Sequence, residues 1–324
     1  MRVFTLVFVV LLFCISTVTA QSGWVLRPGN LKGDLVAVCF TSSDKGWVAG
    51  DNGYLASTTD GGQTWTPYPL NTTENINEIY FRNDENGYLV AGRKMFITRD
   101  AGKTWQDIRI GRTGEFGAGG RPEFLSIRFS DKKRGYVIGS VLKKSGDDEV
   151  VVDSLVMRTE DGGDTWRRIT VPSKAELFHL DFDGNSRGWI VGDEGLILAS
   201  KDEGNTWSKQ ESGTNQPLYN VDFRGGKEGW VVGKQGTILR TQNGGTSWEK
   251  ISTNFTDSLM RVDFADDKIG WAVGYGGLIL RSNDRGSTWV RQESNTRERL
   301  YGLYMDKKYG WAVGAKGTIL GFTK

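Results

Sequence analysis

A pair of sequence words recurs along the chain at a nearly constant interval, and that interval limits the fold more tightly than any other feature. In residues 270–289, GWAVGYGGLILRSNDRGSTW, a GWxxG word is followed by an Asp-box, DRGSTW. The same pair appears as GWVAG with DGGQTW, GWIVG with DEGNTW and GWVVG with NGGTSW. Two copies carry Tyr88 or Tyr136 for the first tryptophan, with boxes DAGKTW and DGGDTW, and a seventh GWAVG at 310–314 has no box after it. The box tryptophans, Trp65, Trp105, Trp166, Trp207, Trp248 and Trp289, are separated by 40, 61, 41, 41 and 41 residues. Self-similarity at a period in the forties, without helical periodicity, is the mark of a β-propeller with four strands per blade. In the copy that starts at Leu259, LMRVDF reads as the first strand, GWAVG as the second, LILRS as the third and residues 288–292 as the fourth. The 44 glycines and 12 tryptophans fit the turns and large packed rings of such an all-β fold.

The box reads as a turn staple between the third and fourth strands. Its first residue, Asp60, Asp100, Asp161, Asp202, Asn243 or Asp284, can accept hydrogen bonds from backbone amides of the turn. Glycine supplies positive φ, and tryptophan buries a ring as the last strand begins. Six identical carboxylate environments argue against catalysis, because acid–base chemistry needs two different ones. The second glycine of each GWxxG word is expected to serve the following turn. Seven words but six boxes leave the last blade one strand short. Trp24 lies 41 residues before Trp65, where a box tryptophan belongs, so residues 22–27 are expected to complete the last blade and close the ring. The expected architecture is a single seven-bladed propeller over 21–324.

Residues 1–20 have a basic start at Arg2, an apolar run and small residues at Val18 and Ala20, the layout of a cleaved secretory signal. Phe13 before Cys14 does not fit a lipoprotein leader, and no later segment has the apolar length of a spanning helix. The expectation is export to the periplasm or outside the cell, as a monomer without a transmembrane segment. Removing Arg2 leaves 40 basic against 39 acidic residues, too balanced for nucleic acid to be the main partner. Cys39 is then the one remaining cysteine and reads as a small core residue.

Function on a repeat scaffold sits where the repeat is broken. The third blade breaks it twice, in the connector at 106–123 and between its second and third strands at 140–153. These links are expected to emerge on one face, opposite the boxes, and to meet. The first carries Arg109, Arg112, Phe116 and Arg121, and the second carries Lys143 and Lys144 followed by Asp147, Asp148 and Glu149. They are expected to form a recognition surface for a protein or an acidic ligand. GEFGAGG lacks the GK(S/T) of a phosphate cradle and GDDE lacks calcium-loop spacing, so neither a cofactor nor a metal is expected. A second irregularity lies near the axis. Alignment of the first strands puts Asp181, Asp222 and Asp263 at one position, shared with Arg128, Tyr80 and Tyr304, and His179 and Arg261 lie two residues earlier. These carboxylates read as partners of neighbouring blades, or as a polar ligand or cation site at a channel mouth.

The pairing of GWxVG words with DGGxTW boxes around the whole mature chain resembles the photosystem II stability/assembly factor family, within the wider BNR or Asp-box propellers. The resemblance implies a non-enzymatic factor that binds a membrane protein during assembly; photosynthetic members act in the lumen on the reaction centre around D1, through an arginine-rich patch. Here the arginines are scattered, and the leader has neither a twin-arginine signal nor a lipoprotein cysteine, so the chain looks more like the related propellers of bacteria without photosystems. The competing class is an Asp-box glycoside hydrolase or glycan-binding propeller. The sialidase Arg-Ile-Pro word is not matched by Arg168-Ile169-Thr170, and xyloglucanases use two propellers, which leaves Asp181 with Asp222 as the carboxylate pair to test.

Overall fold

The computed structural model describes residues 23–27, 31, 33–111, 114–184 and 186–323, so residues 1–20, expected to be a leader, and Arg112 lie outside the described residues. Seven four-stranded antiparallel sheets form the blades of a propeller; six blades run outward from the axis in chain order, and the last takes its outer strand from the N-terminal end. The first strands are Leu35–Phe40, Ile76–Phe81, Arg121–Phe129, Leu177–Asp183, Leu218–Arg224, Leu259–Phe264 and Leu300–Met305 in blades one to seven. The GWxxG words are the second strands, and all five positions of Gly46–Gly50 and of Gly270–Gly274 are buried. A strand sandwiched between two neighbouring blades is buried on both faces, which explains apolar runs in place of strict alternation.

Adjacent blades are joined by one repeated aromatic unit. Trp230 of blade five stacks on Phe264 of blade six at 3.5 Å and 16°, and the box Trp289 meets Phe264 edge-on at 5.9 Å and 86°. Trp189, Phe223 and Trp248 repeat the arrangement one blade earlier. Such ring pairs contribute about 0.5–1.5 kcal/mol beyond their burial. The stack explains the first glycine of the word, since a Cβ on Gly270 would enter the Phe264 ring. The second glycine is explained by close approach and not by a turn, which corrects the expectation above. Gly274 is extended at φ −168°, and a Cβ there would overlap the Ser258 carbonyl oxygen. The left-handed positions come two and three residues later, at Gly276 and Gly277, and are filled in blade four by Glu194 and Gly195.

The boxes form the expected staple. Asp202 accepts the Thr206 N–H at 2.9 Å and the Thr206 and Ser200 hydroxyls at 2.6 and 2.8 Å, while Ser200 Oγ accepts the Gly204 N–H at 2.8 Å. Asn243 plays the same part in blade five, accepting from Ser247 N at 3.0 Å. The ring closes as expected: Gly23–Leu26 pairs antiparallel with Ile319–Thr323, Trp24 opposite Phe322. Trp24 is buried, with its ring edge-on to Trp271 at 5.5 Å.

Blade three departs from the other six. Its second and third strands, Gly135–Ser145 and Asp148–Thr159, extend the blade as a long hairpin, so the insertion at 140–153 is paired strand where a loop was expected. Ser140 pairs Ser154 and Ser145 pairs Asp148 across a Gly146-Asp147 turn, with Gly146 at φ +67°. A Gly-Asp turn flanked by the β-branched run Val150, Val151 and Val152 is a hairpin signal. The fourth strand, Arg167–Ile169, pairs only with Val156, Met157 and Arg158, so the distal half of the hairpin has no fourth-strand partner.

Candidate functional site

Seven first strands surround the axis, and the alternation of a strand sends every second side chain into the channel they enclose. Counting along the strands gives one residue per blade at each depth. The outer level is Cys39, Tyr80, Arg128, Asp181, Asp222, Asp263 and Tyr304, each paired with the aromatic residue of its own GW or GY word. Two residues deeper lie Ala37, Glu78, Ser126, His179, Asn220, Arg261 and Gly302. Together these levels line most of a cavity of about 470 Å³, with Asp183 and Arg224 toward the turns between first and second strands. Those turns share a face with the boxes: the Gly61 and Gly244 amides bond to the Asp44 and Lys227 carbonyls.

The three aspartates do form inter-blade bonds. Asp181 Oδ2 accepts the Phe223 N–H at 2.8 Å, Asp222 Oδ2 that of Phe264 at 2.9 Å, and Asp263 Oδ2 that of Met305 at 2.7 Å. One oxygen of each is thereby spent on the next blade. Arg224 lies 3.7 Å from Asp222 and 3.4 Å from Asp263, and also donates to the Phe264 carbonyl. Burial, with the charge of Asp222, pushes Asp181 up to about 7. Burial pushes Asp222 up to about 7 and Asp263 up to about 6, against the pull of Arg224.

The deeper level is held by Glu78. It takes a 2.7 Å ion pair from Arg128, the Ile127 N–H at 3.0 Å and the Ser126 hydroxyl. Burial works against its charge, yet Arg128 and His179 keep the carboxyl below the usual range. His179 is buried, with its Nε2 3.0 Å from Arg128, and burial pushes it down to about 4, leaving the imidazole neutral at pH 7. Cys39 packs against the core cluster of Ala37, Trp47 and Ile79 and also lines the channel, and burial pushes its thiol up to about 11.

The second group of expected residues gathers at blade three. Arg121 and Glu149 form a 3.0 Å ion pair, so the two insertions meet. Phe116 packs against the cluster that includes Val141, Leu155 and Val152, and Glu115 accepts the Arg168 N–H at 3.0 Å. Phe116 is thus half-buried and anchors the connector to the blade. Lys144 is exposed and pairs across the hairpin with Glu149, and Lys143 pairs with Val150. Val150 and Val151 are exposed near the tip, at 42% and 37%. Arg109 lies on the same connector, just after the strand Gln106–Ile108. Connector and hairpin occupy the face opposite the boxes, so the channel aspartates and the hairpin are two separate sites.

Glu78 and Asn220 were not picked out from the sequence, and the channel position of Cys39 was not read there. The offset that singled out His179 and Arg261 also leads to Glu78 and Asn220 when applied to blades two and five.

Comparison with known proteins agrees with this architecture. The family model described as photosynthesis system II assembly factor YCF48 matches five overlapping segments, at residues 17–115, 68–176, 119–217, 159–256 and 207–305. The chloroplastic photosystem II stability/assembly factor HCF136 of Cyanidioschyzon merolae is 36% identical over 147 residues, covering 42% of this chain and 30% of the relative. The solved structure of YCF48 bound to D1 peptide superposes with a TM-score of 0.73 at 20% identity, covering 94% of this chain and 95% of that one. Virginiamycin B lyase from Staphylococcus aureus superposes with the same score at 12% identity, over 93% of this chain and 99% of that one. At such identities the superpositions establish the fold alone. With the family model matched along most of its length, the chain belongs to the YCF48 photosystem II assembly factor family of seven-bladed propellers.

Proposed function

We propose that this propeller is an exported, non-enzymatic scaffold that binds a protein partner through the face carrying the blade-three hairpin. The observation that carries the reading is the hairpin itself. It extends beyond the fourth strand of its blade to an exposed Gly146-Asp147 turn, and just behind that turn Val150, opposite Lys143, and Val151 are exposed on the two faces of the strand. A strand edge that has no fourth-strand partner among the described residues beyond Val156 is a surface that a partner's extended segment can cover. Membership of the YCF48 family supports a protein as the ligand, since a member has been solved with a peptide bound. A membrane-protein assembly intermediate is the partner class that this relationship favours.

Asp181 and Asp222 give the glycosidase reading no support of their own. Both are pushed in the same direction by the same cause, whereas a general acid and a nucleophile need environments that differ. A photocrosslinking residue placed at Val150 should capture one envelope protein, and the same residue at Gln63 on the box face should not. Equal capture at both positions, or none at Val150, would contradict the proposal.

A further inference from the structure

The channel has unmet hydrogen-bonding capacity of opposite kinds at its two levels. On the deeper level, Arg261 lines the cavity with no hydrogen-bond or ion-pair partner among the described residues. Its neighbour Asn220 is 3% exposed; the amide oxygen is fixed by the Val262 N–H at 3.0 Å, while the amide nitrogen has no acceptor among the described residues. Glu78, the nearest carboxylate at that depth, is already held by Arg128, Ser126 and the Ile127 amide. Arg261, which feels the charge of Glu78 without a hydrogen bond to it, and the Asn220 amide nitrogen therefore line the cavity with no hydrogen-bond acceptor among the described residues. On the outer level the lack is reversed. Among the described residues no donor is bound to the Oδ1 of Asp181 or of Asp222, and Arg224 serves Asp263 only at 3.4 Å.

We propose that the axial cavity binds a small zwitterion, its carboxylate held by Arg261 and Asn220 and its ammonium by the free oxygens of Asp181 and Asp222. Two residues along a strand separate the levels by roughly 6.6 Å. That spacing suits a short ω-amino acid better than a lone ion. The cavity of about 470 Å³ has room for such a molecule with water. A buried guanidinium and a planar carboxylate make strong charge-assisted bonds, and an ammonium among the aspartates offsets the burial, and secondarily the mutual repulsion, that favour their protonated forms. The site is at the opposite end of the axis from the hairpin and does not depend on the protein-binding reading.

The test is calorimetric titration of the full mature chain with glycine, β-alanine, γ-aminobutyrate and 5-aminovalerate, with butyrate and butylammonium as singly charged controls. At a pH above the titration of the aspartates, at least one ω-amino acid should bind at least about tenfold more tightly than either control. Arg261→Gln and Asp181→Asn should each remove that preference, and Arg261→Lys should restore part of what Arg261→Gln loses. Melting curves of the variants show whether each one folds, and the ligand series on the unmodified chain stands whatever they do. Saturation by butylammonium alone or by butyrate alone, or no saturation by any of the six, would overturn the inference.

Discussion

Single buried groups in this fold do one task each, so their replacement has separable effects. Ser282 is fully buried, donates to Asp284 at 2.8 Å and accepts the Gly286 N–H at 2.8 Å. Ser282→Ala strands that amide and should cost about 1–3 kcal/mol in urea unfolding; an unchanged midpoint would show that water replaces the hydroxyl. Gly274→Ala should destabilise as well, because its Cβ would meet backbone and not a movable side chain. The channel aspartates set a pH dependence of opposite sign to the usual one. Their folded pKa values lie above the ordinary carboxylate value of 3.8, at about 6 to 7, so the folded state binds more protons than the unfolded state between those limits. Their contribution is present at low pH and is lost as pH rises through that window. Asp222→Asn mimics the protonated form and keeps an oxygen for the Phe264 N–H. It should flatten this part of the melting-temperature profile and raise the melt above pH 7; a profile parallel to the parent would contradict the assignment.

At the scale of elements, two departures from the repeat separate stability from recognition. Trp24 is 4% exposed and fills the place of a box ring, so Trp24→Ala should cost about 3–5 kcal/mol, and removal of residues 21–30 should lower the melt sharply. Replacing residues 143–150 with an Asn-Gly turn would join Leu142 to Val151, which are already paired, and should leave the melt within about a degree or two of the parent. These two elements differ in how clearly the sequence announced them. The strand at Trp24 was legible because a 41-residue ruler points to it. The hairpin was legible only as surplus length, since the charged run Asp147, Asp148 and Glu149 obscures a two-residue turn flanked by β-branched residues. The second glycine of each word was misread for a related reason: contact with a carbonyl 16 residues earlier, as between Gly274 and Ser258, leaves no local signature.

The whole molecule is a ring whose repeated residues are occupied in holding blades together, which leaves the irregular parts free for binding. The fold was legible almost throughout because a repeat states the same strand pattern seven times. The channel was legible only in part: register placed Asp181, Asp222 and Asp263 together, but the direction in which their second oxygens and Arg261 are left unmatched depends on packing across several blades. Two faces follow from this geometry, a channel opening among the boxes and a hairpin opposite them, and the protein-binding account concerns the hairpin face. The deciding measurement is the dissociation constant of the partner captured at Val150, purified, for the parent chain and for the variant shortened at 143–150. The account predicts a loss of at least about a hundredfold with an unchanged melt. Equal affinity in the two proteins would contradict it.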